Sequence, residues 1–192
     1  MQPFLFPAIC SPFMRLDPKY FNVFIGIIAI ISVLAIFYST IRYSQNQVLN
    51  FEENIADVRL DTLVFKSYSA PDSLRLTDFV NGPVIIHFWS TWSSKSKDVN
   101  EFLNRFKTEN QNITVIAAVV RDDEDMVRNY INNQSFSFHF VEGTEFYQKL
   151  LVPGMPAQIL IGRGNELFDT HIGDDTRMLE AQLTELLNSK ER

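Results

Sequence analysis

The sequence predicts an α/β fold, a central mixed β-sheet flanked by helices, standing behind one N-terminal transmembrane helix. Three observations carry this expectation. Residues 20–41, "YFNVFIGIIAIISVLAIFYSTI", form an unbroken uncharged stretch. Short β-branched and aromatic runs then alternate with segments of helical periodicity, and the last two runs flank Arg163-Gly164-Asn165, a turn signal. Strands separated by helices, ending in a hairpin and a helix, call for a mixed sheet covered on both faces.

The uncharged stretch is long enough for the assignment. At about 1.5 Å per residue it crosses a hydrocarbon core of about 30 Å. Tyr20, Phe21 and Tyr38 supply aromatic residues near its ends. A cleavable signal peptide has an apolar region of roughly 7–15 residues ending in small residues, and "IFYSTI" makes a poor cleavage site. Arg15 and Lys19 precede the span, whereas Arg42 and then Glu52 and Glu53 follow it. This pattern favours a cytoplasmic N-terminus and an exported C-terminal part. Met14 offers an alternative start, since "MRLDPKYF" reads as an ordinary basic leader.

Beyond the span, residues 42–58 are polar with scattered apolar positions and read as a stalk or short helix. "TLVFKSY" (62–68) reads as a leading strand. "PVIIHFW" (83–89), bounded by Asn81-Gly82-Pro83, reads as a buried strand. Residues 95–109 place Val99, Phe102, Leu103 and Phe106 at helical spacing. "ITVIAAVV" (113–120) is a second buried strand, and residues 122–133 a helix with acids in its first turn. "SFHF" (137–140) and "EFYQKLL" (145–151) suggest a short strand and a short helix. "AQILIG" (157–162) and "ELFDTHIG" (166–173) form the hairpin, and Met178, Leu179, Leu183, Leu186 and Leu187 mark one face of a last helix over 176–189. The domain plan is therefore a short N-terminus (1–19), the span (20–41), a linker (42–58) and one globular domain (59–192). A chain of 192 residues suits one such domain plus an appendage.

Charge and composition remove several function classes. The net charge is −6 and no basic run interrupts it, which argues against nucleic-acid binding. The single cysteine, Cys10, lies before the span and cannot form an internal disulfide. His87, His139 and His171 are scattered through strand-like segments, and no Cys/His cluster has metal spacing, so no metal or other cofactor is implied. Asn112-Ile113-Thr114 and Asn133-Gln134-Ser135 would matter as sequons only in a eukaryotic secretory setting.

The stretch "VIIHFWSTWSSKSK" resembles the strand, active-site turn and helix start of membrane-anchored thioredoxin-like proteins. It is most similar to the TlpA/ResA group of thiol–disulfide oxidoreductases, whose site reads F-W-A-T-W-C-x-x-C. Downstream, "VPGMPAQILIGRGNELFDTHIG" resembles that group's G-x-P segment, and the likeness covers roughly residues 58–190. The resemblance implies a thioredoxin-like fold. It matches Trp89 and Trp92 to the two tryptophans and Pro156 to a cis-proline facing the site, with Met155 before it. It also sets His87 where thioredoxins often carry a buried acid. Ser93 and Ser96 then stand where the group has its nucleophilic and resolving cysteines.

That substitution removes the family's chemistry. Thiol–disulfide exchange needs a thiolate, a sulfur leaving group and a partner sulfur. A serine hydroxyl does not ionise near neutral pH and forms no S–S bond. Catalytic residues are therefore none, and dithiol redox catalysis within this chain is excluded. A serine nucleophile would need a base within reach and an orienting acid. His87, six residues before Ser93, is the one candidate base, and nothing in the sequence marks its acid.

Binding needs no sulfur. Ser93 and Ser94 suit the cap of the helix that follows. Lys95 and Lys97 oppose its dipole and either meet an acidic group or anion or stand solvated. In the thioredoxin-like proteins it resembles, backbone beside the cis-proline can pair with an extended peptide; Met155 and Trp92 would supply apolar contacts, and Trp92 reads equally as binding or packing. Trp89 reads as core. The expected binding set is Trp92, Ser93, Ser94, Lys95, Met155 and Pro156, with His87 and Trp89 structural near the site. The expected partners are a protein or peptide and the membrane, with no nucleic acid, at a bacterial inner membrane with the domain outside. Two alternatives stand beside this reading: a non-catalytic accessory subunit of an envelope thiol-redox or cytochrome c maturation system, and a divergent member of the oxidoreductase family.

Overall fold

The computed structural model describes residues 18–69 and 73–189. The expectations placed on Cys10, Met14 and Arg15 concern residues outside that range. The chain divides into two units, one up to Tyr43 and one from Ser44 onward. The first holds most of helix α1 (Pro18–Ala56), with an apolar stretch long enough to cross a membrane. Its large side chains from Tyr20 to Tyr43 are exposed, as a lipid-facing helix requires.

The second unit begins inside the segment read above as a linker. There α1 continues to Ala56, and Phe51 and Ile55 are buried in the domain's core. Their four-residue spacing puts both on one helix face. The Asn54 side chain adds a hydrogen bond to the Leu150 carbonyl (3.3 Å). The sequence-based boundary at residue 59 thus cuts through the packed unit.

Strands β1 (Val64–Phe65) and β2 (Leu74–Arg75) form a small antiparallel ribbon. The expected leading strand over 62–68 is divided. Its first half belongs to this ribbon, and Lys66 to Tyr68 run beside His139–Glu142, where Glu142 N–H donates to Lys66 O (2.8 Å) and Tyr68 N–H to Phe140 O (2.9 Å). The main sheet contains β3 (Val84–Trp89), β4 (Thr114–Val119), β5 (His139–Glu142), β6 (Ala157–Ile161) and β7 (Leu167–Ile172), in the order β5-β4-β3-β6-β7. β3, β4 and β5 are parallel, whereas β6 is antiparallel to β3 and β7 antiparallel to β6. The mixed sheet follows from the connections. Helices α2 (Ser94–Glu109) and α3 (Glu124–Asn132) carry the two parallel crossovers, α4 (Thr144–Lys149) lies between β5 and β6, and the hairpin and α5 (Thr176–Asn188) close the chain.

Every residue of β3 is buried, because both faces are covered. Val84, Ile86 and Phe88 join the cluster that holds Phe51, Ile55 and Phe146, while Ile85 and Trp89 join the cluster built from α2, α3 and α5. Gly82 sets the entry to β3 close to the next crossover: a Cβ there would collide with the Asn112 carbonyl oxygen. The consequence for function is positional. β3, β4 and β6 bring the Trp92 turn, the Arg121 loop and the Met155-Pro156 segment to one end of the sheet.

Candidate functional site: the tryptophan turn and the Met155-Pro156 segment

The turn after β3 is fixed by three side chains. The buried Ser90 hydroxyl donates to the Val120 carbonyl (2.6 Å). Thr91 is bound through both its N–H and its hydroxyl to the Asp122 carboxylate. The Trp92 indole N–H donates to the Arg121 carbonyl (3.3 Å). These bonds tie the β3–α2 turn to the β4–α3 loop.

The two tryptophans take opposite environments. Trp89 is fully buried against Tyr130 and Phe140, with ring centroids 4.9 and 5.8 Å away. Trp92 is 63% exposed despite its indole bond.

Ser93 is the N-cap of α2, and its hydroxyl oxygen accepts the Ser96 N–H (3.2 Å). Ser94 is exposed at the first helical position. Lys95 forms an ion pair with Asp174 (3.1 Å), whose carboxyl it holds below the usual carboxylate range. Lys97 lies 5.8 Å over the Tyr130 ring. Both lysines thus meet groups of their own chain.

Beneath the turn lies a buried polar cluster. His87, Ser96, Asn100 and Gln158 are all fully buried. The Gln158 amide nitrogen lies 2.9 Å from His87 Nδ1, so with this amide orientation the ring accepts there. His87 Nε2, Ser96 Oγ, Asn100 Oδ1 and Gln158 Oε1 are buried without hydrogen-bond partners among the described residues. The group orienting His87 is a neutral amide, and the Ser96 hydroxyl is closed to solvent. A nucleophile–base–acid arrangement is therefore not assembled here. Among the described residues, no group of three His, Cys, Asp or Glu side chains is placed to hold a metal ion.

Burial pushes the His87 imidazole down to about 3, and the neighbouring Ala157, Ser96 and Asn100 groups offset only part of that desolvation. The folded state therefore holds His87 neutral, while the unfolded chain takes up a proton below its ordinary value of 6.5. The unfolded state binds more protons across that window, so stability falls as pH drops from about 6.5 toward 3, by up to about 1.4 kcal/mol per pH unit. His139, lowered by desolvation and by the nearby Lys107 charge, adds to the same trend. We predict that urea midpoints measured between pH 7 and pH 5 fall with pH in the wild type. The fall should be shallower in His87→Leu, whatever that variant's absolute stability. Parallel slopes would show that His87 is charged in the fold.

Across from the turn, the Met155–Pro156 peptide is cis and Pro156 is buried. Met155 Sδ lies 3.6 Å from Ser90 Oγ, which joins the two halves of the site. The Pro156 carbonyl accepts the Gly173 N–H (2.9 Å), whereas the Met155 N–H and carbonyl have no hydrogen-bond partner among the described residues. Tyr147 packs edge-on against Phe88 (5.5 Å) and lines the same end of the sheet.

The structure thus brings the Trp92 turn and the Met155-Pro156 segment to the same end of the sheet, joined by the Ser90–Met155 contact, with Ser93 to Lys95 at the start of α2. Sequence reasoning missed Asp122, which fixes the turn, and Arg121, which accepts the indole bond. It also missed Asn100 and Gln158 beside His87. A glutamine inside the apolar run "AQILI" was the one readable signal, because such an amide requires a buried partner.

Comparison with known proteins agrees with this geometry. A family model described as thioredoxin-like matches residues 81–167. No curated protein sequence matches the chain. Among solved structures, one from Chlorobium tepidum described as thiol:disulfide interchange protein DsbE is 18% identical. It aligns with 65% of this chain and 92% of its own, at a TM-score of 0.59. A secreted Mycobacterium tuberculosis disulfide oxidoreductase is 15% identical, aligns over 68% and 100%, and scores 0.57. StoA from Bacillus subtilis is 16% identical, aligns over 63% and 95%, and scores 0.52. The matched strand order, the tryptophan turn and the cis-proline segment lie in one domain, and that domain is thioredoxin-like, with structural neighbours among thiol–disulfide oxidoreductases.

Proposed function

We propose that this chain is a membrane-anchored, outward-facing thioredoxin-like protein that has lost dithiol redox chemistry and binds an extended polypeptide. The groove between Trp92 and Met155-Pro156 is the binding site. The observation that carries the reading is the Met155 backbone, without a hydrogen-bond partner among the described residues, at the end of the sheet that also carries the exposed Trp92 ring. An unpaired N–H and C=O at the end of a sheet accept an added strand, and the indole supplies apolar contact. Serines at positions 93 and 96 leave no sulfur to exchange, so occupancy is reversible. The apolar stretch of α1 supports the anchor, with the domain on the far side from the basic residues Arg15 and Lys19.

The test uses the full chain in zwitterionic lipid nanodiscs and fluorescein-labelled, carboxymethylated α-lactalbumin as an unfolded probe. Anisotropy should report saturable binding above the empty-disc control. Trp92→Ala and Met155→Ala should each weaken it by about 5–30-fold, the range of a central interface residue. Met178→Ala, exposed on α5, should leave it unchanged. Equal affinity in wild type and both groove variants would remove the groove from the reading.

A further inference from the structure

Two exposed residues, in the segments after β4 and α4, have strained backbones. Arg121 (φ 48°) follows β4, and Leu151 (φ 55°) follows α4. Side chains without special local bonding rarely adopt this left-handed region, and such outliers cluster at ligand-binding positions. The conformation of Arg121 is held from both sides: its N–H donates to Thr144 Oγ1 (2.9 Å), and its carbonyl accepts the Trp92 indole. Burial pushes the half-buried Tyr147 phenol up, and the Arg121 guanidinium offsets part of that rise. Leu151 is 61% exposed, two residues before the Pro153-Gly154-Met155-Pro156 segment, and Val152 N–H donates to the Tyr147 carbonyl.

Arg121 has no carboxylate within ion-pair distance among the described residues. The acids nearest to it in sequence have other partners. Asp122 accepts from Thr91 and from the Asp123 N–H, Asp123 caps α3, and Glu124 pairs with Arg128 (2.7 Å). Across the groove, Lys95 is already paired with Asp174. Of the cations Lys95, Lys97 and Arg121, Arg121 is therefore the one without an acidic or ring partner among the described residues, and its carbonyl holds the Trp92 indole.

Resting on the groove reading above, we propose that Arg121 and Leu151 set its specificity: the preferred occupant is an extended peptide segment that pairs with Met155, seats an apolar side chain against Trp92 and Leu151, and carries an acidic side chain that meets Arg121. Leu151 contributes contact, and Arg121 contributes charge selection.

The probes are three fluorescein-labelled peptides with a Leu-Val-Leu centre, flanked on both sides by two Glu, two Gln or two Lys. Each is titrated by anisotropy against the full chain in zwitterionic nanodiscs at low salt, with empty discs subtracted. Wild type should bind the Glu peptide about 5-fold more tightly than the Gln peptide, the most a single exposed ion pair contributes, and the Lys peptide most weakly. Arg121→Gln should bring the Glu and Gln affinities together. Leu151→Gly should weaken all three alike without lowering the thermal midpoint, because glycine accepts the positive φ and the lost side chain was exposed. Equal wild-type affinity for the Glu and Gln peptides would overturn the charge selection but leave the groove reading standing. A Glu preference that survives in Arg121→Gln would overturn the assignment to Arg121. Unaltered binding in Leu151→Gly would overturn its contact role. Absence of binding by any peptide would overturn this proposal and the groove reading together.

Discussion

A soluble chain begun at Arg59 should be largely unfolded under conditions in which one begun at Ser44 folds cooperatively. The difference lies in the last turns of α1. Phe51 and Ile55 are buried in the cluster that also holds Leu60, Phe65, Leu76, Phe146 and Leu150. Removing them takes away two large apolar side chains and leaves their neighbours facing water. Buried Phe→Ala changes cost about 3–5 kcal/mol and buried Ile→Ala changes about 2–5 kcal/mol. Contacting residues do not add strictly, yet the combined loss remains at least about 5 kcal/mol. A domain of this size has about 5–15 kcal/mol in total. Circular dichroism and urea titration of the two chains measure the difference directly. Phe51→Ala in the longer chain should reproduce about half of it. Similar midpoints for both chains would mean that the helix end is only an appendage.

Why that boundary was misplaced from sequence is physically clear. Residues 42–58 carry few apolar positions, and a window rich in Gln, Asn and Glu looks solvated. Two buried side chains at i and i+4 are enough to dock a helix end, but two matches are too few for periodicity to register. The opposite held for β3, α2, β4 and α5, where long apolar runs or repeated helical spacing set the element and its burial together. β1 and β2 escaped for another reason. Strands of two residues contain no measurable alternation, and their pairing depends on tertiary placement.

The site was legible to a similar depth. The tryptophan turn and Met155-Pro156 were readable because their residues are contiguous and chemically distinctive. The side chains that hold them are not contiguous. Thr91 finds Asp122 across 31 positions of chain, and His87 finds Gln158 across 71. Only the parallel pairing of β3 with β4 and the antiparallel pairing with β6 bring these partners together. Arg121 carries no sequence signal at all, because its interest comes from a backbone angle and an unmatched charge.

The second large effect is a gain of chemistry. In a Cys10→Ser background, Ser93→Cys combined with Ser96→Cys should turn a chain without a dithiol into one that catalyses insulin reduction by dithiothreitol, and neither single change should do so. The thiol at position 93 would occupy the N-cap of a 16-residue helix, where the aligned backbone dipoles lower a thiol's pKa below its free value of about 8.5. Rates of iodoacetamide alkylation against pH would report that shift in Ser93→Cys alone. The thiolate attacks the substrate disulfide, and the second thiol, one helical turn on, resolves the mixed disulfide. Position 96 is suited to it, since Ser96 is fully buried with an unpartnered hydroxyl. Replacing that hydroxyl with a thiol removes an unsatisfied polar group, which costs about 1–3 kcal/mol where it stands, so Ser96→Cys should also raise the urea midpoint. The outcome separates two histories written into the same residues. Activity in the double variant would mean that the surroundings of a dithiol survive around the serines. An inactive but folded double variant would mean that the neutral His87, the Gln158 amide and the Asn100 side chain no longer support dithiol exchange at positions 93 and 96.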